Sequence, residues 1–173
     1  MSRWFGIDPG SKGAVACIDD NNEVIFIEDL DSDRATYERF ITRHMGHALL
    51  HQNVAVEEVY GRPGQSCKAN NTFMKLAGMA ELMGWMITTD SFITVLPSVW
   101  KKHFGLIFPK TISKTEKKHK SVELARELFP SVADTLLMSK DGRAEALLIA
   151  RWLKDVQSES KLSRDLLQTA EGC

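Results

Sequence analysis

The chain has 173 residues, of which 43% are hydrophobic and 26% charged, and its formal net charge is -1. This is the composition of a single globular domain with a complete core, rather than that of a disordered or membrane chain. No stretch approaches the roughly 20 apolar residues of a transmembrane helix, and Met1-Ser2-Arg3 leads straight into a strand pattern rather than a signal-peptide core, so a cytoplasmic protein without a membrane partner is expected.

In chain order, residues 3–8, 13–19 and 23–28 are short apolar runs divided by the turn sequences "DPGSKG" and "DDNN", which predicts an antiparallel three-strand meander. Arg34 to Gln52 carries Tyr37, Phe40, Ile41, Met45 and Leu49 at helical spacing, and "NVAVEEV" then reads as a buried strand. A strand reached through a helical crossover pairs parallel to an earlier one. A long helix is expected over Ser66 to Thr88, where Gly78 and Gly84 each cost about 1 kcal/mol relative to Ala. Its Met, Ala and Gly residues have two readings: core packing, or close approach of another helix, including one from a second subunit.

"FITVLP" is the fifth strand, ended by Pro97, and helices are expected over 98–104, 117–129 and 142–156, with 105–116 a mobile loop. The domain is expected to span 1–157, with 158–173 a polar C-terminal tail. Cys17, Cys67 and Cys173 are odd in number and lack metal-ligand spacing, so they read as free thiols in a reducing compartment.

Four acids fall at element ends predicted to face inward. Asp8 closes the first strand, Glu57 closes "VAVE", and Asp141 and Glu145 lie four apart on one face of the last helix. Taken singly, Asp8 has a turn reading, Asp141 a helix N-cap reading and Glu145 a solvent-exposed one. Glu57 resists such treatment, because an unpaired carboxylate at the end of a buried strand is costly to desolvate. Its neighbour Glu58 alternates to the other side of the strand. Taken together, the four would suit hard cations such as Mg²⁺, which take oxygen ligands. Two such ions activate water and stabilise both oxygens in phosphodiester cleavage. No Cys/His cluster favours zinc.

Between residues 101 and 120 the chain carries Lys101, Lys102, Lys110, Lys114, Lys117, Lys118 and Lys120 against Glu116 alone. Such a block is either a solvated face or a contact surface for a polyanion.

The segments "GIDPGSKGAVACID", "VAVEEVYGRPGQ" and "DGRAEALLIARWL", in this order, resemble the signature segments of RuvC-type Holliday junction resolvases, especially their bacteriophage and prophage branch. The resemblance covers about residues 3–155. It implies an α/β, ribonuclease H-like fold: a mixed five-stranded sheet, three strands antiparallel and then two parallel, flanked by helices. It also implies a homodimeric, metal-dependent endonuclease that resolves four-way DNA junctions with two Mg²⁺ ions per site, or Mn²⁺ as a substitute. The same superfamily includes nucleases for flaps, forks and RNA–DNA hybrids, and nucleotide-binding proteins.

By this resemblance Asp8, Glu57, Asp141 and Glu145 form the metal-binding tetrad. The cellular resolvases more often carry two aspartates three apart in the last helix, whereas here Glu145 follows Asp141 by four. Tyr60 matches an aromatic wedge at the junction centre, the alternative being a tyrosine that caps the core, and Arg62 lies in the same Gly-flanked loop. Lys118 is the best match for a lysine at the scissile phosphate, with Lys117 and Lys120 competing. Lys101, Lys102 and Lys114 would flank the DNA. His119 is expected to be exposed. The helix over 66–88 is the candidate dimer interface.

Overall fold

The computed structural model describes residues 1–10, 12–31, 33–45, 51–61 and 64–171, with side chains through residue 161. Five strands form one sheet: β1 (Ser2–Asp8), β2 (Gly13–Asp19), β3 (Val24–Leu30), β4 (His51–Glu57) and β5 (Ser91–Val95). Their spatial order is β3-β2-β1-β4-β5, with β1/β2 and β2/β3 antiparallel and β1/β4 and β4/β5 parallel. This is the expected mixed sheet. The helices are α1 (Arg34–His44), α2 (Cys67–Ile87), α3 (Pro97–His103), α4 (Lys114–Leu128) and α5 (Asp141–Glu171).

Alternation along the strands divides the core into two layers. Phe5, Ile7, Val54 and Val56 point to the side covered by α1 and α2, where they meet Phe40, Leu76, Ala80 and Met83. Trp4, Ala14, Ala16 and Ala55 point to the other side, beneath α3, α4 and α5. Gly6 belongs to that second face: a Cβ there would lie 2.0 Å from the Ala146 carbonyl oxygen, so α5 rests directly on the β1 backbone. Asp8 and Glu57 have the parity of Gly6 and Ala55, and strand register alone therefore turns both carboxylates toward α5.

Several boundaries differ from expectation. The first helix ends at His44, not Gln52: Met45 is extended, and Gln52 is a buried strand residue whose N–H donates to Thr89 Oγ1. Leu49 lies outside the described residues. Pro97 does not merely end a strand but occupies the first turn of α3, where its missing N–H costs nothing. α4 starts three residues early because Ser113 caps it, its hydroxyl accepting from the Glu116 N–H at 3.2 Å. α5 continues beyond residue 156 to Glu171, and no proline or glycine interrupts it after Gly142. Gly84 is explained by the sheet rather than another helix, since a Cβ there would sit 2.9 Å from Val56 Cγ2 and 3.2 Å from Ile7 Cδ1. Gly78 faces open space.

The start of α5 is tied to the sheet edge by Asp29 on β3. Its carboxylate accepts from Arg143 Nε at 2.5 Å, Arg143 Nη2 at 2.8 Å and Lys140 Nζ at 2.5 Å. These bonds, opposed by partial burial, hold Asp29 down at about 2. A depressed carboxylate contributes stability above its unfolded value of about 3.9 and loses it as pH falls through its folded value. Asp29→Asn is expected to cost about 1 kcal/mol at pH 7, a screened value for a partly exposed group. Thermal unfolding should show a drop of roughly 2 to 4 °C that shrinks between pH 4 and pH 2.

Candidate active site

Pro9 and the left-handed Gly10 (φ 140°) turn the chain immediately after Asp8, and the Gly13 N–H closes the turn on the Gly10 carbonyl at 3.1 Å. Asp8 is left at the end of β1, level with Ala14 on β2. One strand over, Glu57 ends β4 opposite Val95 of β5. α5 enters over this edge. A Cβ on Gly142 would lie 2.3 Å from the Lys12 carbonyl oxygen and 2.9 Å from Asp8 Oδ2, so only glycine lets the helix start this close to the strand turn.

Asp8, Glu57 and Glu145 each bring a carboxylate oxygen within 4.8 Å of the others. Glu57 is 9% exposed and the Glu145 side chain 13%. Burial, then the charges of Glu145 and Glu57, push the Asp8 carboxyl well above its usual value, and Asp141 adds to this while Lys101 opposes it. Such a cluster is unfavourable without a cation, and its all-oxygen donor set fits a hard divalent metal rather than zinc.

Asp141 stands outside the group of three. Its Oδ2 pairs with Lys118 Nζ at 2.5 Å, which places Lys118, half exposed, at the edge of the cluster. Lys101 turns inward, its Nζ 3.1 Å from Glu145 Oε1 and 4.8 Å from the centre of the Trp100 ring. Burial disfavours its charge, but Glu145, Glu57 and Asp8 outweigh that and raise its pKa.

The other basic residues lie farther out. Lys102 and Lys114 are exposed, Lys117 is half-buried on α4, and Lys120 pairs with Glu123 at 3.3 Å on the surface. His119 is exposed, as expected. Tyr60 is 61% exposed and its hydroxyl donates to Glu58, so it does not cap the core. Arg62 lies outside the described residues.

Sequence reading missed Trp100. It is fully buried and its indole N–H donates to Glu57 Oε2 at 2.8 Å, fixing one oxygen of that carboxylate. Its position just past Pro97, ahead of two lysines, gives no local hint of this contact, which depends on how α3 folds back over the sheet. Gly142 had a legible signal: a glycine in the first turn of an otherwise strong helix implies a close neighbour.

The sheet order and the two core layers define a mixed five-stranded α/β fold of ribonuclease H-like type, with acids gathered at the ends of β1 and β4. Within that class the fold is that of RuvC. Thermus thermophilus RuvC in complex with Holliday junction substrate aligns with a TM-score of 0.52 over 87% of this chain and 91% of its own, at 14% identity. A second Thermus thermophilus RuvC structure aligns at 0.46 over 87% and 92%, at 17% identity. No protein-family model and no curated protein matches the chain. No helix among the described residues is long and apolar enough to cross a membrane.

Proposed function

We propose that the protein is a metal-dependent endonuclease that resolves four-way DNA junctions by paired phosphodiester hydrolysis. The observation that carries this reading is the meeting of Asp8, Glu57 and Glu145 within 4.8 Å on a RuvC fold. The three carboxylates would hold Mg²⁺, or Mn²⁺ in its place, with Asp141 as the fourth acid beside them. The bound ions would supply an activated water and charge neutralisation at the leaving oxygen.

The chain's own groups act around that centre. Trp100 keeps Glu57 oriented by its indole N–H, and Asp141 keeps the Lys118 ammonium next to the cluster, where a scissile phosphate would meet it. Lys102 on α3 and Lys114, Lys117 and Lys120 on α4 add positive charge that would meet DNA phosphates. The exposed ring of Tyr60 suits stacking on an unpaired base, worth roughly 1 to 3 kcal/mol, and Arg62, two residues on in the sequence, would add a phosphate contact. Resolution needs two opposed nicks and therefore two sites, which a two-fold dimer supplies. The outward stripe of α2, with Met74, Leu82 and Trp85 exposed around the open Gly78, supports that helix as the interface. The wording of the three motifs sides with the bacteriophage branch, which would place the protein in a bacterial host's cytoplasm.

With Mg²⁺, paired symmetric nicks are expected in a synthetic four-way junction, at least tenfold faster than cleavage of a flap, a fork or an RNA–DNA hybrid of matched sequence. Faster cleavage of one of those would move the assignment to another branched or hybrid substrate, and binding without any cleavage would make the protein a junction binder.

A further inference from the structure

The cluster contains a cation of its own. α3 contacts two of the three clustered acids: Trp100 donates to Glu57 Oε2, and Lys101 Nζ lies against Glu145 Oε1. Lys101 is drawn inside, its side chain 27% exposed and its ammonium over the indole ring at 4.8 Å, a cation–π arrangement that favours retention of the charge there. Lys102, one residue along the same short helix, points to solvent. The adjacent Lys118 is engaged by Asp141 instead. Among the described residues, Lys101 is therefore the ammonium held against the three-acid group.

We infer that Lys101 is a resident counter-cation of the carboxylate cluster, and that a divalent ion binds there in competition with it. This inference rests on the reading of Asp8, Glu57 and Glu145 as metal ligands. Three carboxylates gathered in a partly desolvated pocket repel one another, and one ammonium relieves that repulsion. The same charge opposes the arrival of a second cation, so its effect changes sign between the metal-free and the metal-bound protein. A lysine that merely oriented Glu145 as a ligand would have the opposite signature, since its removal would weaken metal binding.

The experiment is titration of the metal-free protein with Mn²⁺ and Mg²⁺, followed by calorimetry and thermal unfolding. Lys101→Met is expected to lower the unfolding temperature of the metal-free protein and to lower the half-saturating metal concentration about tenfold. Lys102→Met removes the same formal charge from the exposed side of α3 and should change that concentration by no more than about twofold, because solvent screens it. Unchanged or weaker metal binding by Lys101→Met overturns the inference while leaving the metal site intact. No saturable binding by the wild-type protein overturns the metal site and the inference together.

A measurement on the unaltered chain covers the case in which Lys101→Met does not fold. The ¹⁵N-labelled side-chain ammonium of Lys101 should give a slowly exchanging resonance in the metal-free protein, and saturating Mg²⁺ should shift or abolish it. A resonance that stays unmoved at saturation counts against competition.

Discussion

Asp8→Asn is expected to abolish metal-dependent nicking of a four-way junction while leaving junction binding within about twofold of wild type. The substitution keeps size and shape but removes the carboxylate at the centre of the cluster, between Glu57 on the next strand and Glu145 on the helix above. Loss of a metal that contributes several kcal/mol to transition-state stabilisation corresponds to a rate reduction on the order of 100- to 1000-fold or more, at about 1.4 kcal/mol per factor of ten. DNA affinity, which the proposed lysine contacts outside the cluster would supply, should survive. Unchanged nicking would sink both the site and the proposed activity.

The same variant makes a second prediction, of opposite sign. Burial and the neighbouring Glu145 and Glu57 raise the Asp8 carboxyl well above its ordinary value. An acid raised on folding contributes stability that is fully present below its unfolded value of about 3.9 and is lost as pH rises through the folded one. At neutral pH and without metal, Asp8 is therefore a liability, which the uncharged Asn removes. In chelator, Asp8→Asn should melt higher than wild type at pH 7, the gap closing toward pH 4. Added Mg²⁺ should reverse the order by stabilising wild type alone. The variant would thus separate loss of function from loss of folding in one pair of melting curves.

Why Asp8 and Glu57 were legible in the sequence, and Trp100 and the inward turn of Lys101 were not, has a physical cause. Strand parity is local: once Ile7 and Val56 are placed in one layer, Asp8 and Glu57 must point to the other, and an acid following an apolar run stands out. The spacing of Asp141 and Glu145 likewise fixes a shared helix face. It does not decide which of the two reaches Asp8, because Lys118 from α4 engages Asp141 and Lys101 from α3 engages Glu145. Those partners are set by how two helices fold back over the sheet, which no local period encodes. The same limit applies to Gly84, read as a place for a neighbouring helix and found against Ile7, Val56 and Phe92 of the chain's own sheet. By contrast, the Ser113–Glu116 start of α4 was readable from its S-x-x-E pattern, and the expected loop simply ran too far.

Gly142→Ala tests whether the site depends on the seating of α5 rather than on the acids alone. An added Cβ would lie 2.3 Å from the Lys12 carbonyl oxygen, 3.1 Å from Gly13 Cα and 2.9 Å from Asp8 Oδ2. Two of those atoms are backbone of the turn between β1 and β2, so the helix start must lift away from the strand. Glu145 is one turn farther along α5 and would lift with it. Overpacking costs about 1 to 3 kcal/mol, offset by up to about 1 kcal/mol from the better helix propensity of alanine. The net loss of stability should therefore be modest. Displacement of a reacting constellation by about 1 Å can cost on the order of 100-fold in rate, so nicking and metal affinity should fall much further than folding does. Gly78→Ala provides the contrast on α2, where nothing of the same chain lies within 4 Å and the helix of a single subunit should gain up to about 1 kcal/mol. If Gly142→Ala nicked junctions within twofold of wild type, the helix start would have to tolerate displacement, and close contact between α5 and the Asp8 turn would not be what holds Glu145 in place.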